Sequence, residues 1–109
     1  MTSRFHVGDL VLLDIGATRT SFATHEECKS DGTYFLYEKI NVDSYPSYND
    51  FFGKKIKALN GTIAPVVRVI GPPRKMITKR SMQKYCIYEI LVSGSLCQIF
   101  AADLKTPDP

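Results

Sequence analysis

Two stretches of this 109-residue chain concentrate the side chains that could do chemistry. Arg74, Lys75, Lys79, Arg80 and Lys84 set five cations in a short run that holds no acid. Along a flexible segment such cations clamp a phosphate backbone, releasing counterions and binding in a salt-sensitive way. They serve equally well to match an acidic protein surface. Tyr45, Tyr48, Phe51 and Phe52 form the second stretch. Rings this close together give a large contact area at low entropic cost, the composition of a protein-docking loop. The plainer alternatives are rings folded back over an open end of the core, and cations that only solvate a loop.

Other constellations fall short of a reaction. Glu26, Glu27 and Asp31 could supply a carboxylate pair, and His25 with Cys28 could share a metal if that turn is helical, but no further ligands are evident. His6 and His25 stand far apart, and no local signature puts a base within reach of a Ser or Cys nucleophile. The phosphate-cradling patterns G-x-x-x-x-G-K and G-x-G-x-x-G are absent, and Gly53-Lys54-Lys55 reads as turn punctuation. The expectation is a protein with no catalytic residues, no metal and no cofactor, which acts by contact.

Charge sharpens that expectation. Residues 1–53 carry four basic and eight acidic groups, residues 54–88 carry nine basic and none acidic, and residues 89–109 carry one and three. The modest net charge of +3 therefore hides a polarised molecule. A positive part and a negative part on one small body can attract each other head to tail, or set register against a larger acidic surface.

The positioning elements read as strands. At 109 residues and 44% apolar composition the chain is one domain with a core of its own. No apolar run approaches the roughly 20 residues of a membrane span, and the opening residues lack a signal-peptide apolar segment. Val7–Ile15 is a short apolar strand bounded by glycines. Thr33–Tyr37, rich in aromatics, continues to Val42. Asp43–Gly53 reads as loop, broken by Pro46 and Asn49-Asp50. Ile63–Ile70 is a strand in which Pro65 must sit at an edge, a bulge or the beginning. Tyr85–Val92 and Ser95–Phe100 form a hairpin about Ser93-Gly94, with Val92 opposite Ser95 and Ile90 opposite Cys97. In that register Cys86, Tyr88, Ile90, Val92, Cys97, Ile99 and Ala101 share the core face. Ile87, Glu89, Leu91, Leu96, Gln98 and Phe100 share the other. Ala101–Leu104 is a short turn, and residues 106–109 are a frayed tail.

The three cysteines, Cys28, Cys86 and Cys97, include no C-x-x-C pair. Cys86 and Cys97 lie on one face but four positions out of register, about 13 Å of strand, against the roughly 4.4–6.8 Å between Cα atoms that a disulfide spans. Free thiols and a reducing compartment follow, and the protein is not expected to be secreted.

Val7-Gly8-Asp9-Leu10-Val11, Val66–Gly71, Tyr88–Gly94 and the closing Phe100–Lys105 together resemble a Src-homology-3-like barrel. The pattern is similar to the KOW and tudor-like modules and to short barrel proteins of tailed bacteriophages. It covers about residues 5–15 and 62–105 and leaves 16–61 as an enlarged first loop. The resemblance implies an all-β fold: a small, closed or half-closed barrel of five or six antiparallel strands with little helix. The peptide-binding version of that fold needs a tryptophan, which this chain lacks. The expected role is structural: a minor virion component that docks on protein subunits of a larger assembly or on copies of itself, in virion or cytoplasm. Tyr45, Tyr48, Phe51 and Phe52 would be the anchors, and the five cations would supply charge. The alternative is a nucleic-acid module using the same cations, and a third reading is a regulator that binds a host enzyme.

Overall fold

Alternation of apolar and polar residues builds an all-β protein, seen in a computed structural model that describes residues 5–15, 33–40, 51–72 and 85–107, with the backbone alone at 33, 51 and 52. Seven strands run in chain order: β1 (Leu10–Leu13), β2 (Thr33–Ile40), β3 (Phe51–Leu59), β4 (Ile63–Gly71), β5 (Ile87–Val92), β6 (Ser95–Phe100) and β7 (Leu104–Lys105). Among the described residues a 3-10 turn, Ala101–Asp103, precedes β7. Neighbouring strands pair antiparallel, and they form one sheet in the order β3-β2-β6-β5-β4-β1-β7. The sheet is barrel-like but does not close. Among the described residues no helix is long and apolar enough to cross a membrane.

β4 makes the sheet coil. Its first residues pair with β1, as in Leu12↔Ile63 and Leu10↔Pro65, and from Val66 onward it pairs with β5. Val66 donates its amide to Asp9, so the neighbouring Pro65 nitrogen faces β5, where the ladder begins only at Val66↔Ile90. Proline thus sits near the beginning of the strand with no ladder bond to lose. The β5–β6 hairpin has the expected register, Ile90↔Cys97 and Val92↔Ser95. Ser93 and Gly94 both adopt positive φ, 51° and 78°, the twist a two-residue hairpin turn requires.

The core is the inner face of this coil. Val11, Leu13, Leu36, Tyr88, Ile90, Ile99 and Leu104 are fully or almost fully buried, as is the whole face that the hairpin register assigned to the interior. Phe5 closes one end: its ring meets Tyr88 edge-on at 5.5 Å, and its amide donates to the Tyr88 hydroxyl at 3.1 Å. Asn60 fastens the β3–β4 turn to the end of β1, accepting from the Ile15 amide and donating to the Ile15 carbonyl, both at 2.7 Å.

Three expectations need correction. The strand count is seven, not five or six. Phe51, Phe52 and Gly53, read as loop, open the nine-residue β3 inside the segment taken as an enlarged loop. The outer face of the hairpin is not uniformly exposed, because Ile87, Gln98 and Phe100 are buried. One bulge explains the last two. Between Tyr37↔Lys55 and Lys39↔Phe52, β2 advances two residues while β3 advances three. An extra residue bends a strand and increases its twist. The bend carries Ile40 over the outer face, where it packs with Ile87 and Phe100, and Ile70 and Tyr85 pack against that small second cluster.

Gly53 makes the bulge possible. Its φ is 92°, and a Cβ there would lie 2.6 Å from Glu38 Oε2 and 2.8 Å from Glu38 Cβ. Left-handed backbone alone costs a non-glycine residue about 1–2 kcal/mol. Gly53→Ala is therefore expected to lower the unfolding free energy by at least ~1 kcal/mol, read from the urea midpoint at unchanged m-value.

Candidate functional site

Residues of the second cluster adjoin the two chemically marked stretches in sequence. Ile40 is the last described residue before segment 41–50, and Tyr85 is the first after segment 73–84, close beyond Ile70. Segment 41–50 carries Tyr45 and Tyr48, and segment 73–84 carries Arg74, Lys75, Lys79, Arg80 and Lys84. Those seven residues lie outside the described structure, as do His25 and Cys28. Phe51 and Phe52 are strand residues, paired with Ile40 and Lys39.

Beside the cluster runs a polar chain. Arg68 and Glu89 form an ion pair at 3.2 Å, Gln98 donates to the same Glu89 oxygen at 3.3 Å, and the Gln98 side-chain oxygen accepts the Ile40 amide at 2.7 Å. Gln98 thereby pins the bent end of β2. Arg68 is well exposed, so the pair contributes geometry more than stability, under ~1 kcal/mol.

The remaining outer face is unexpectedly apolar. Leu10 stands opposite Pro65 and Leu91 opposite Leu96, and continuing the Val66↔Ile90 register brings Pro65 beside Leu91. A row of outward apolar side chains thus crosses four strands, from Leu10 through Pro65 and Leu91 to Leu96. Ile63 and Val67 flank it. Leu10 is 57% exposed and Ile63 55%. Scattered exposed leucines are ordinary on a monomer, whereas a contiguous group of this kind marks a contact surface. Neither the aromatic nor the basic stretch of the sequence points to it. The available signal was the weak alternation of β1 and β4, which are apolar on both faces.

A second outer feature lies along β3. Lys54, Lys55 and Lys57 are exposed, while Ile56 and Ala58 are buried. A recess of about 420 Å³ runs between this strand and the β5–β6 turn.

Among the described residues no three metal-binding side chains cluster. The Asp9 carboxylate accepts the His6 backbone amide at 2.9 Å and lies 3.7 Å from Nδ1 of the His6 ring. Cys86 and Cys97 are buried and no disulfide joins them, in agreement with the register argument. Burial, reinforced by the charge of Glu89, pushes the Cys97 thiol from 9.0 up to about 12. A raised acid pKa stabilises the fold fully below the unfolded value and loses that contribution as pH climbs through the folded one. Wild type is therefore expected to lose stability relative to Cys97→Ala between pH 9 and 12, compared by urea unfolding of the two proteins across that range.

The chain was compared with protein-family models, curated proteins and solved structures. It matches none of them. What it can do has to be argued from its own surface.

Proposed function

We propose that this protein is a non-enzymatic docking module: a small Src-homology-3-like barrel that attaches to protein subunits of a larger assembly, as a minor component of a tailed-phage particle would. The observation that carries the reading is the apolar row from Leu10 to Leu96, flanked by Ile63 and Val67. Water is expelled from such a surface only by another apolar surface, and a protein subunit provides one. The strand order β6-β5-β4-β1-β7, with a 3-10 turn before the last strand, supports the barrel assignment. The phage context rests on the likeness of the opening and closing motifs.

Nucleic acid is the competing reading, favoured by the exposed Lys54, Lys57 and Arg68 together with the basic stretch 74–84. Against it, the described Phe and Tyr side chains are all buried or half-buried, which leaves little ring face to stack on a base.

A photo-cross-linking amino acid placed at Leu91, in cells where the protein carries out its role, separates the two. Cross-links to one discrete protein, lost when Ile63→Asp is added, support docking. Cross-links to nucleic acid, or DNA binding that is strong at about 50 mM salt and collapses by about 200 mM, would give the site to phosphate.

A further inference from the structure

The unclosed sheet leaves β3 as an edge strand, paired on one side with β2 and, among the described residues, with no strand on the other. An edge of nine residues is long, and the N–H and C=O groups that face away from β2 are a template for another chain. The recess beside it is lined by every residue from Lys54 to Leu59, so both parities of the strand contribute. It therefore follows the backbone edge and does not sit above one face. Its far wall is the β5–β6 turn, with Val92 and Ser95, and buried Ile56 and Ala58 give it an apolar floor. The volume, about 420 Å³, is that of a ligand cleft. A second recess of about 380 Å³ adjoins it at Lys54 and Ser95 and reaches Leu96, the end of the apolar row.

Charge decides what would lie there. β3 carries three lysines and no acid. Lys55 is engaged, its Nζ 5.2 Å from the centre of the Phe35 ring. Lys54 and Lys57 are exposed and form no ion pair with a described residue. Lysines on an edge can serve only to repel other strands, but they then repel cationic or neutral edges while leaving an acidic one attractive.

We propose that β3 is a strand-addition site for an extended acidic segment of the docking partner. Such a segment pairs with the β3 backbone, as peptides do in β-augmentation, and sets the carboxylates of one face against Lys57, while Lys54, three residues away, borders the opposite face at the segment's end. The inference rests on the docking reading and names the chemistry of one part of the partner.

The test titrates the full chain, isotopically labelled, with a capped peptide of alternating aspartate and valine, following backbone amides by NMR. Expected are shifts and slowed exchange at Lys54–Leu59, with affinity falling at least ~10-fold on Lys54→Glu plus Lys57→Glu. A peptide of the same charge, N-methylated at alternate residues, should bind at least ~10-fold more weakly, because it cannot complete the ladder. Equal binding of the two peptides would overturn the inference, showing adhesion by charge alone. So would absence of binding, or tighter binding of oligo-dT at the same amides. If the edge fails while the Leu91 cross-link to protein persists, this inference falls and the docking reading stands.

Discussion

Leu91→Asp is expected to weaken association with the partner by ~30-fold or more, the loss of about 2 kcal/mol that defines an interface hot spot. Leu91 lies between Pro65 and Leu96, in the interior of the row and away from its ends. A carboxylate there must be stripped of water when the surface is covered, with no cation of the row to receive it. Leu91 is one of the exposed apolar residues and not part of the core. Its replacement should therefore move the unfolding free energy by no more than ~1 kcal/mol, the span of strand propensities. Binding of fluorescently labelled protein to the cross-linked partner, measured beside a urea melt, reads both quantities. The size of the effect at Leu91 relative to Lys79→Ala and Arg80→Ala is diagnostic. If the basic substitutions dominate and act uniformly across nucleic-acid sequences, the contact is with phosphate.

Tyr88→Ala carries the largest expected effect on stability, about 3–5 kcal/mol, as for other large buried side chains. Small domains have only about 5–15 kcal/mol in total, so this variant should be partly unfolded at modest temperature. Tyr88 is completely buried, its ring packs edge-on against Phe5, and its hydroxyl accepts the Phe5 amide. The packing and hydrogen-bond contributions are separable. Tyr88→Phe retains the ring and removes the oxygen, at an expected cost of about 1–3 kcal/mol for a buried polar group. Urea titrations of both variants check the ordering. A Tyr88→Phe as damaging as Tyr88→Ala would mean that the hydroxyl, not the ring, holds the N-terminal segment in place.

Much of the fold was legible because the second half of the chain obeys local rules. Ser93-Gly94 sets a two-residue turn, the turn sets the register, and the register divides core from outer face. That chain of reasoning holds from Cys86 to Ala101. It failed where a long-range event overrides local composition. Phe51-Phe52-Gly53 follows a proline and an Asn-Asp pair and carries a glycine, all marks of a loop, yet it is strand. The reason is that Gly53 supplies the positive φ of a bulge whose partner, Glu38, is remote in sequence. The burial of Ile87 and Phe100 has the same origin, since nothing near them announces that Ile40 will cover them. The candidate site was legible in part. Its aromatic and basic stretches are visible as composition, whereas the apolar row exists only once Leu10, Pro65, Leu91 and Leu96 are brought side by side from distant positions.

The pairing of β1 also bears on how the chain reaches its native state. Leu12 faces Ile63 on one side and Lys105 on the other, so the first strand cannot complete its ladders until the chain as far as Lys105 is available. Loop-closure entropy must be surmounted before those distant partners reward it. Refolding should accordingly proceed in milliseconds to seconds, the regime of β proteins of high contact order. Until the two ends meet, β4 presents the flank that β1 will occupy, and a newly made chain is then most exposed to pairing with a neighbour.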